Sequence, residues 1–315
     1  MFYKRLLGKF VLSAAMLAFL IVMLAGCASS SKGKLVEGKT NVVTSFYPLY
    51  FLAQQIGGEN ANVINMIPAG VEPHDWSPKS RDLDTAAKAQ LFLYNGAGLE
   101  GWVPDFLEGL PSDSKLITVE ASEGIKKLSG NPEEDADAAD AKHVDPHTWV
   151  SPKSMLIMAD TVLKNFLKAD PAHQDAYTAN YDKLEQRLKD LDQEYTDALT
   201  KTARKDIVTS HQAFGYLARD YGLKQVAIMG LSPDAEPKAQ DLLRITKFVK
   251  DNGIQYIFFE ELVSDELAKT LANEADVSTM VLNPLEGLTP EQEKKGEDYF
   301  SLMKANLQNL VQALQ

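Results

Sequence analysis

Residues 171–201 read PAHQDAYTANYDKLEQRLKDLDQEYTDALTK, a charged stretch carrying Tyr177, Tyr181, Leu184, Leu188, Leu191, Tyr195 and Leu199 at steps of three and four. Such spacing gathers the apolar side chains on one stripe of an α-helix. At the standard rise, about 30 helical residues make a rod of roughly 45 Å. On both sides of it, short apolar runs alternate with helical stretches, the rhythm of βα units feeding a mainly parallel sheet. The rod is therefore read as a spine over 171–202, between an N-terminal lobe over 40–170 and a C-terminal lobe over 203–315. The expected fold is α/β: two lobes with mainly parallel sheets, joined by one long rigid helix, with a ligand cleft between them.

In the first lobe, strands are expected at 41–45, 61–67 and 90–94, and a helix at 47–56. Ser77-Pro78 is read as the cap and first turn of a helix running toward Ala89, and Ser151-Pro152 as the start of another through 155–167. Between them, 130–142 is a low-complexity acidic stretch that cannot bury a core and is expected to be a mobile surface loop. The second lobe should place strands at 206–209, 224–229, 256–260 and 278–282, with helices at 214–221, 237–252, 262–275 and 299–314.

The chain's beginning has the form of a sorting signal. Lys4, Arg5 and Lys9 precede a long apolar run that ends in Leu24-Ala25-Gly26-Cys27, the small-residue pattern resembling a bacterial lipobox. Residues 1–26 are thus expected to be removed, Cys27 to carry lipid, and 27–39 to act as a flexible tether. The competing reading of the run is an uncleaved membrane anchor. Cys27 is the only cysteine, so no internal disulfide can form and any metal must be held by imidazole, carboxylate or carbonyl. Loss of 1–26 removes three bases and no acid, taking the formal net charge from -12 to -15. That acidity argues against nucleic acid as a partner.

Two near-copies of one phrase carry the chemistry: Glu72-Pro73-His74-Asp75-Trp76-Ser77-Pro78 and Asp145-Pro146-His147-Thr148-Trp149-Val150-Ser151-Pro152. Each sets an imidazole on a stiff turn, and two of the five histidines are used this way. His211 follows the expected strand at 206–209, and Glu286 follows the one at 278–282. In open α/β sheets the loops beyond the carboxyl ends of the strands line the ligand crevice, so these groups can converge there. Three imidazoles and one carboxylate would complete a tetrahedral shell around a borderline-soft divalent ion. Glu260, Glu261, Asp276 and water are rivals of Glu286 for the fourth position. Glu72 and Asp145 are candidates to orient the neighbouring imidazoles, or else simply shape their turns. Trp76 and Trp149 would shield the ion or fill the nearby core. His173 is read as an exposed residue at the head of the spine, and His143 as a solvated histidine at the end of the acidic loop.

With these residues in view the chain resembles the zinc- and manganese-specific solute-binding lipoproteins of bacterial ABC importers. The resemblance runs through the lipobox, the two Pro-His turns, Asn95-Gly96-Ala97-Gly98-Leu99-Glu100-Gly101-Trp102, Ser210-His211-Gln212-Ala213-Phe214-Gly215-Tyr216 and Ser232-Pro233-Asp234-Ala235-Glu236-Pro237. It implies a monomeric receptor, lipid-anchored on the extracytoplasmic face of the cell membrane, that passes its metal to a permease powered by a cytoplasmic ATPase. Zinc carriers of this kind place histidine third among the ligands, where His211 stands, and one subgroup closes the site with glutamate, matching Glu286. A nitrogen-rich set suits Zn(II), whereas manganese prefers more oxygen donors. Many zinc carriers have a histidine-rich loop where this chain is acidic, so a zinc-collecting role for that loop is not implied. Three other readings compete. They are a manganese receptor, a zinc-dependent hydrolase, for which no His-Glu-x-x-His phrase or nucleophile elbow is present, and a surface adhesin with an incidental metal.

Overall fold

The computed structural model describes residues 33–130, 144–234 and 237–315. The expected signal segment, residues 27–32 of the tether including Cys27, the acidic loop beyond Gly130 and His143 lie outside the described residues. The first lobe runs β1 Thr40–Thr44, α1 Tyr47–Gly57, β2 Ala61–Asn65, α2 Ser80–Ala87, β3 Leu91–Tyr94, α3 Val103–Glu108 and β4 Ile117–Glu120, followed by the two-residue strands β5 Leu128–Ser129 and β6 Val144–Asp145. Next come α4 Pro152–Ala169 and the spine, α5 Gln174–Thr200. The second lobe runs β7 Asp206–Thr209, α6 Gly215–Tyr221, β8 Lys224–Ala227, α7 Ala239–Asp251, β9 Tyr256–Phe259, α8 Glu266–Ala275, β10 Ser278–Val281, α9 Pro290–Lys295 and α10 Tyr299–Ala313.

Both main sheets are parallel throughout and share one topology. The first has the order β2-β1-β3-β4 and the second β8-β7-β9-β10, so in each the founding strand is flanked by its two successors. Strand order therefore reverses beside β1 and beside β7. The loops leaving the carboxyl ends at such a switch point splay apart and open a crevice. Alternation along the strands divides the interior: Val42 of β1 and Ile207 of β7 face one shared core, whereas Val43 and Val208 face separate outer layers.

The spine is 27 residues long, about 40 Å at the standard rise. Tyr177, Leu184, Leu188, Leu191, Tyr195 and Leu199 are buried along it and Tyr181 is half-buried, as the three-four spacing requires. It packs on α1 and α4 of the first lobe and on α6 and α10 of the second. At its head, Asp170 accepts hydrogen bonds from Thr40, Tyr177 and His173 at 2.7–2.8 Å, so His173 is exposed but tied to a carboxylate.

Some local expectations are corrected. Ser77-Pro78 does not start α2, which begins at Ser80, where the Asp82 carboxylate accepts from the Lys79 N–H at 2.7 Å and fixes the first turn. At the second site the helix does begin at Pro152, but the Ser151 hydroxyl makes no cap and instead reaches Asp220 of α6. Strand β4 and helices α3 and α9 were not anticipated; the β-branched run Ile117-Thr118-Val119 was the available signal for β4.

Candidate metal centre

Each ligand-type side chain is delivered by a different structural device. His74 stands on the turn after β2, with its backbone N–H held at 3.0 Å by the Glu72 carboxylate. His147 follows β6, and its loop is gripped on both flanks by Asn95, whose amide donates to Pro146 O at 2.8 Å and accepts from Thr148 Oγ1 at 3.1 Å. Asn95 is itself anchored by Glu100, a buried carboxylate that takes hydrogen bonds from Ser45 Oγ at 2.6 Å and from the Asn95 N–H at 2.8 Å. Desolvation raises the pKa of Glu100. His211 leaves the end of β7, and Glu286 lies in the loop after β10.

These four residues meet, each offering one donor atom within 4.8 Å of the others. His147 and His211 are fully buried and Glu286 nearly so, while the His74 side chain keeps 11% of its exposure. Nε2 of His147 lies 3.2 Å from Nε2 of His74 and 3.3 Å from Nε2 of His211. Glu286 Oε1 lies 3.5, 3.3 and 3.4 Å from Nε2 of His74, His147 and His211. In a regular tetrahedron the edge is about 1.63 times the centre-to-vertex length, so zinc bonds of about 2.0–2.1 Å call for edges of about 3.3–3.4 Å. The five separations bracket that value.

The protonation pattern gives the same answer. Asp145 Oδ1 sits 2.9 Å from His147 Nδ1, and Glu260 Oε1 sits 2.6 Å from His211 Nδ1. Each carboxylate holds the proton on Nδ1 and turns the Nε2 lone pair inward. Glu286 Oε1 is buried without a hydrogen-bond partner, facing those lone pairs. Such a convergence of acceptors requires a cation or shared protons. Burial disfavours charge on His147, but the neighbouring Asp145 and Glu286 carboxylates outweigh it and raise its pKa. For His211 burial is likewise overcome by Glu260 and Glu286, leaving the ring well above the usual histidine value. Glu286 is held well below the carboxylate range because the three imidazoles outweigh its desolvation.

The rivals for the fourth position are placed elsewhere. Glu260 is paired with His211 Nδ1 and stands outside the cluster, and Glu261 is pinned by Asn283 at 2.7 Å and Gln292 at 2.6 Å. Asp276 precedes β10, at the amino end of the sheet and away from the crevice. The paired acids also diverge. Asp145 orients an imidazole, whereas Glu72 binds only backbone N–H groups of its turn. Trp149 is fully buried and its Nε1 donates to Pro284 O at 2.7 Å, while Trp76 is half-buried against Trp102. On the rim, Glu72, Asp75 and Asp234 gather carboxylates within 4.8 Å of one another.

Parallel α/β lobes of one topology, bridged by a long helix and closing on a cluster of ligand-type side chains, define a two-lobed solute-binding protein. The family model described as zinc-uptake complex component A, periplasmic, matches residues 42–313, and the chain belongs to that family. It is 43% identical over 288 residues to the zinc-binding lipoprotein AdcA of Streptococcus pneumoniae, covering 90% of this chain but only 57% of that protein. It is 38% identical over 322 residues to the high-affinity zinc uptake system protein ZnuA of Bacillus subtilis, covering 99% of this chain and 98% of that protein. Among solved structures, the Zn(II)-bound ZnuA-like domain of Streptococcus pneumoniae AdcA is similar with a TM-score of 0.76 and 41% identity, over 88% of this chain and 99% of that one.

Proposed function

We propose that this chain is the extracytoplasmic receptor of a zinc importer, capturing Zn(II) with His74, His147, His211 and Glu286 and releasing it to an ABC-type permease driven by a cytoplasmic ATPase. The observation that carries the reading is the set of donor separations of 3.2–3.5 Å around the orphaned Glu286 Oε1. Four protein donors fill a tetrahedral shell and leave no vacant position for a substrate, which supports a carrier over a hydrolase. The nitrogen-rich set favours zinc over manganese. The acids on the rim, drawn from both lobes, add a negative potential that favours cation entry.

The same proposal includes a signal peptide over 1–26, lipid on Cys27, a tether over 27–39, lobes over 40–170 and 203–315 and a linking helix over 171–202, working as a monomer at the membrane. Among the described residues no helix is long and apolar enough to cross a membrane. The test is a chelator-competition titration with zinc and with manganese. Wild type should bind one zinc per chain and prefer it to manganese, and His211→Ala should lose affinity by orders of magnitude. Wild-type affinity in that variant would defeat the assignment.

A further inference from the structure

The loop that carries Glu286 is fixed by buried hydrogen bonds from two sides. Leu285, directly before Glu286, is fully buried and adopts a left-handed backbone with φ of 59°. A branched residue rarely accepts that conformation, so the surroundings must impose it. Asn283 supplies one constraint: its Oδ1 accepts the Leu285 N–H at 2.7 Å. Asn306, on the buried stripe of α10, supplies the next by accepting the Asn283 N–H at 2.8 Å and donating to the Asn283 carbonyl at 2.6 Å. From the other lobe, Trp149 Nε1 donates to Pro284 O. Every residue from 283 to 285 is therefore fixed from at least one side, and Glu286 reaches the cluster with Oε1 foremost.

We infer that Asn306 is a positioning residue for the metal, setting the reach of Glu286 so that one oxygen completes a four-coordinate shell. This rests on the reading of His74, His147, His211 and Glu286 as the metal ligands. Such a clamp bears on selectivity. A glutamate free to rotate can offer both oxygens or admit water, which raises the coordination number toward what manganese accepts. With Asn306 in place, Glu286 is restricted to the arrangement a small tetrahedral ion uses.

The test compares the full chain with Asn306→Leu, which keeps the branched shape and removes both hydrogen bonds, and with Asn306→Ala, which removes them without adding bulk to the buried helix stripe. Glu286→Gln is the control. Zinc and manganese affinities are measured by chelator competition, and cobalt(II) substitution reports coordination number through its visible absorption. The expected result for Asn306→Leu is a loss of about 10–100-fold in zinc affinity. The intense tetrahedral cobalt bands should weaken, and the zinc-to-manganese preference should narrow. Asn306→Ala should move each readout in the same direction, and it decides the matter should Asn306→Leu fail to fold. Unchanged cobalt spectra and metal preference in a folded variant, with only thermal stability lowered, would reduce Asn306 to a structural residue. Failure of the wild-type chain to bind zinc, or indifference to Glu286→Gln, would overturn the ligand assignment and the inference with it. Loss in Glu286→Gln beside wild-type behaviour in both Asn306 variants would overturn the inference alone.

Discussion

The Nδ1 partners of the two buried histidines account for how the centre is prepared. Asp145 and Glu260 keep His147 and His211 in the tautomer that aims Nε2 into the four-residue cluster, and they raise ring basicity. Asp145→Asn and Glu260→Gln should each weaken zinc binding about 10–100-fold with the fold intact; chelator competition beside circular dichroism measures both. Protons compete for the same sites. With the pKa of His147 raised and that of His211 raised further, the metal-free cluster holds protons above the ordinary histidine range. Zinc must displace them, so affinity should already be declining as pH falls from 8 toward about 6.5, the reference histidine pKa, and fall further below it. Calorimetry in buffers of different ionisation enthalpy should detect proton release on binding near neutral pH. A flat affinity between pH 8 and 5 would contradict imidazole ligation.

At the scale of elements, helix α6 of the second lobe braces the first. A Cβ added at Gly215 would lie 2.4 Å from Asp145 Oδ2, and Tyr216 OH donates to Asp145 O at 2.8 Å. Gly215→Ala should therefore cost about 1–3 kcal/mol by overpacking, seen as a lower melting temperature, and should weaken zinc binding by displacing Asp145. A variant unchanged in both respects would refute that coupling. What could be read from the residues alone follows the same division. Elements with a clear apolar pattern were legible: the spine stripe from Tyr177 to Leu199, and β7, Asp206–Thr209, around Ile207-Val208. The four clustered residues were legible because they follow strands or stiff Pro-His turns. Contacts between distant segments were not. Asn306 reads as one polar residue on an otherwise apolar helix stripe, and only the fold brings Asn283 beneath it. Glu260 reads as a rival ligand because the sequence does not tell that its carboxylate meets His211 at Nδ1. Ser77-Pro78 misled because capping depends on where the next acid, Asp82, folds back.

Across the whole molecule, one buried cluster continues from Val42 and Phe46 of the first lobe through Leu188 and Tyr195 of the spine to Phe258 and Leu282 of the second. A large apolar interface of this kind resists independent motion of its halves. Thermal unfolding should accordingly proceed in a single transition, and zinc should raise its midpoint by binding only the folded chain, by about 4 kcal/mol of stability at a thousandfold excess over Kd. Two separated transitions in calorimetry would show that the lobes unfold independently. The central claim is that four side chains from separate segments hold one zinc ion. A crystal grown with zinc, measured on both sides of the zinc absorption edge, tests it most directly. One anomalous peak is predicted at about 2.0–2.1 Å from Nε2 of His74, His147 and His211 and from Glu286 Oε1; a peak away from that cluster, or a shell built mainly of water and other oxygens, would contradict it.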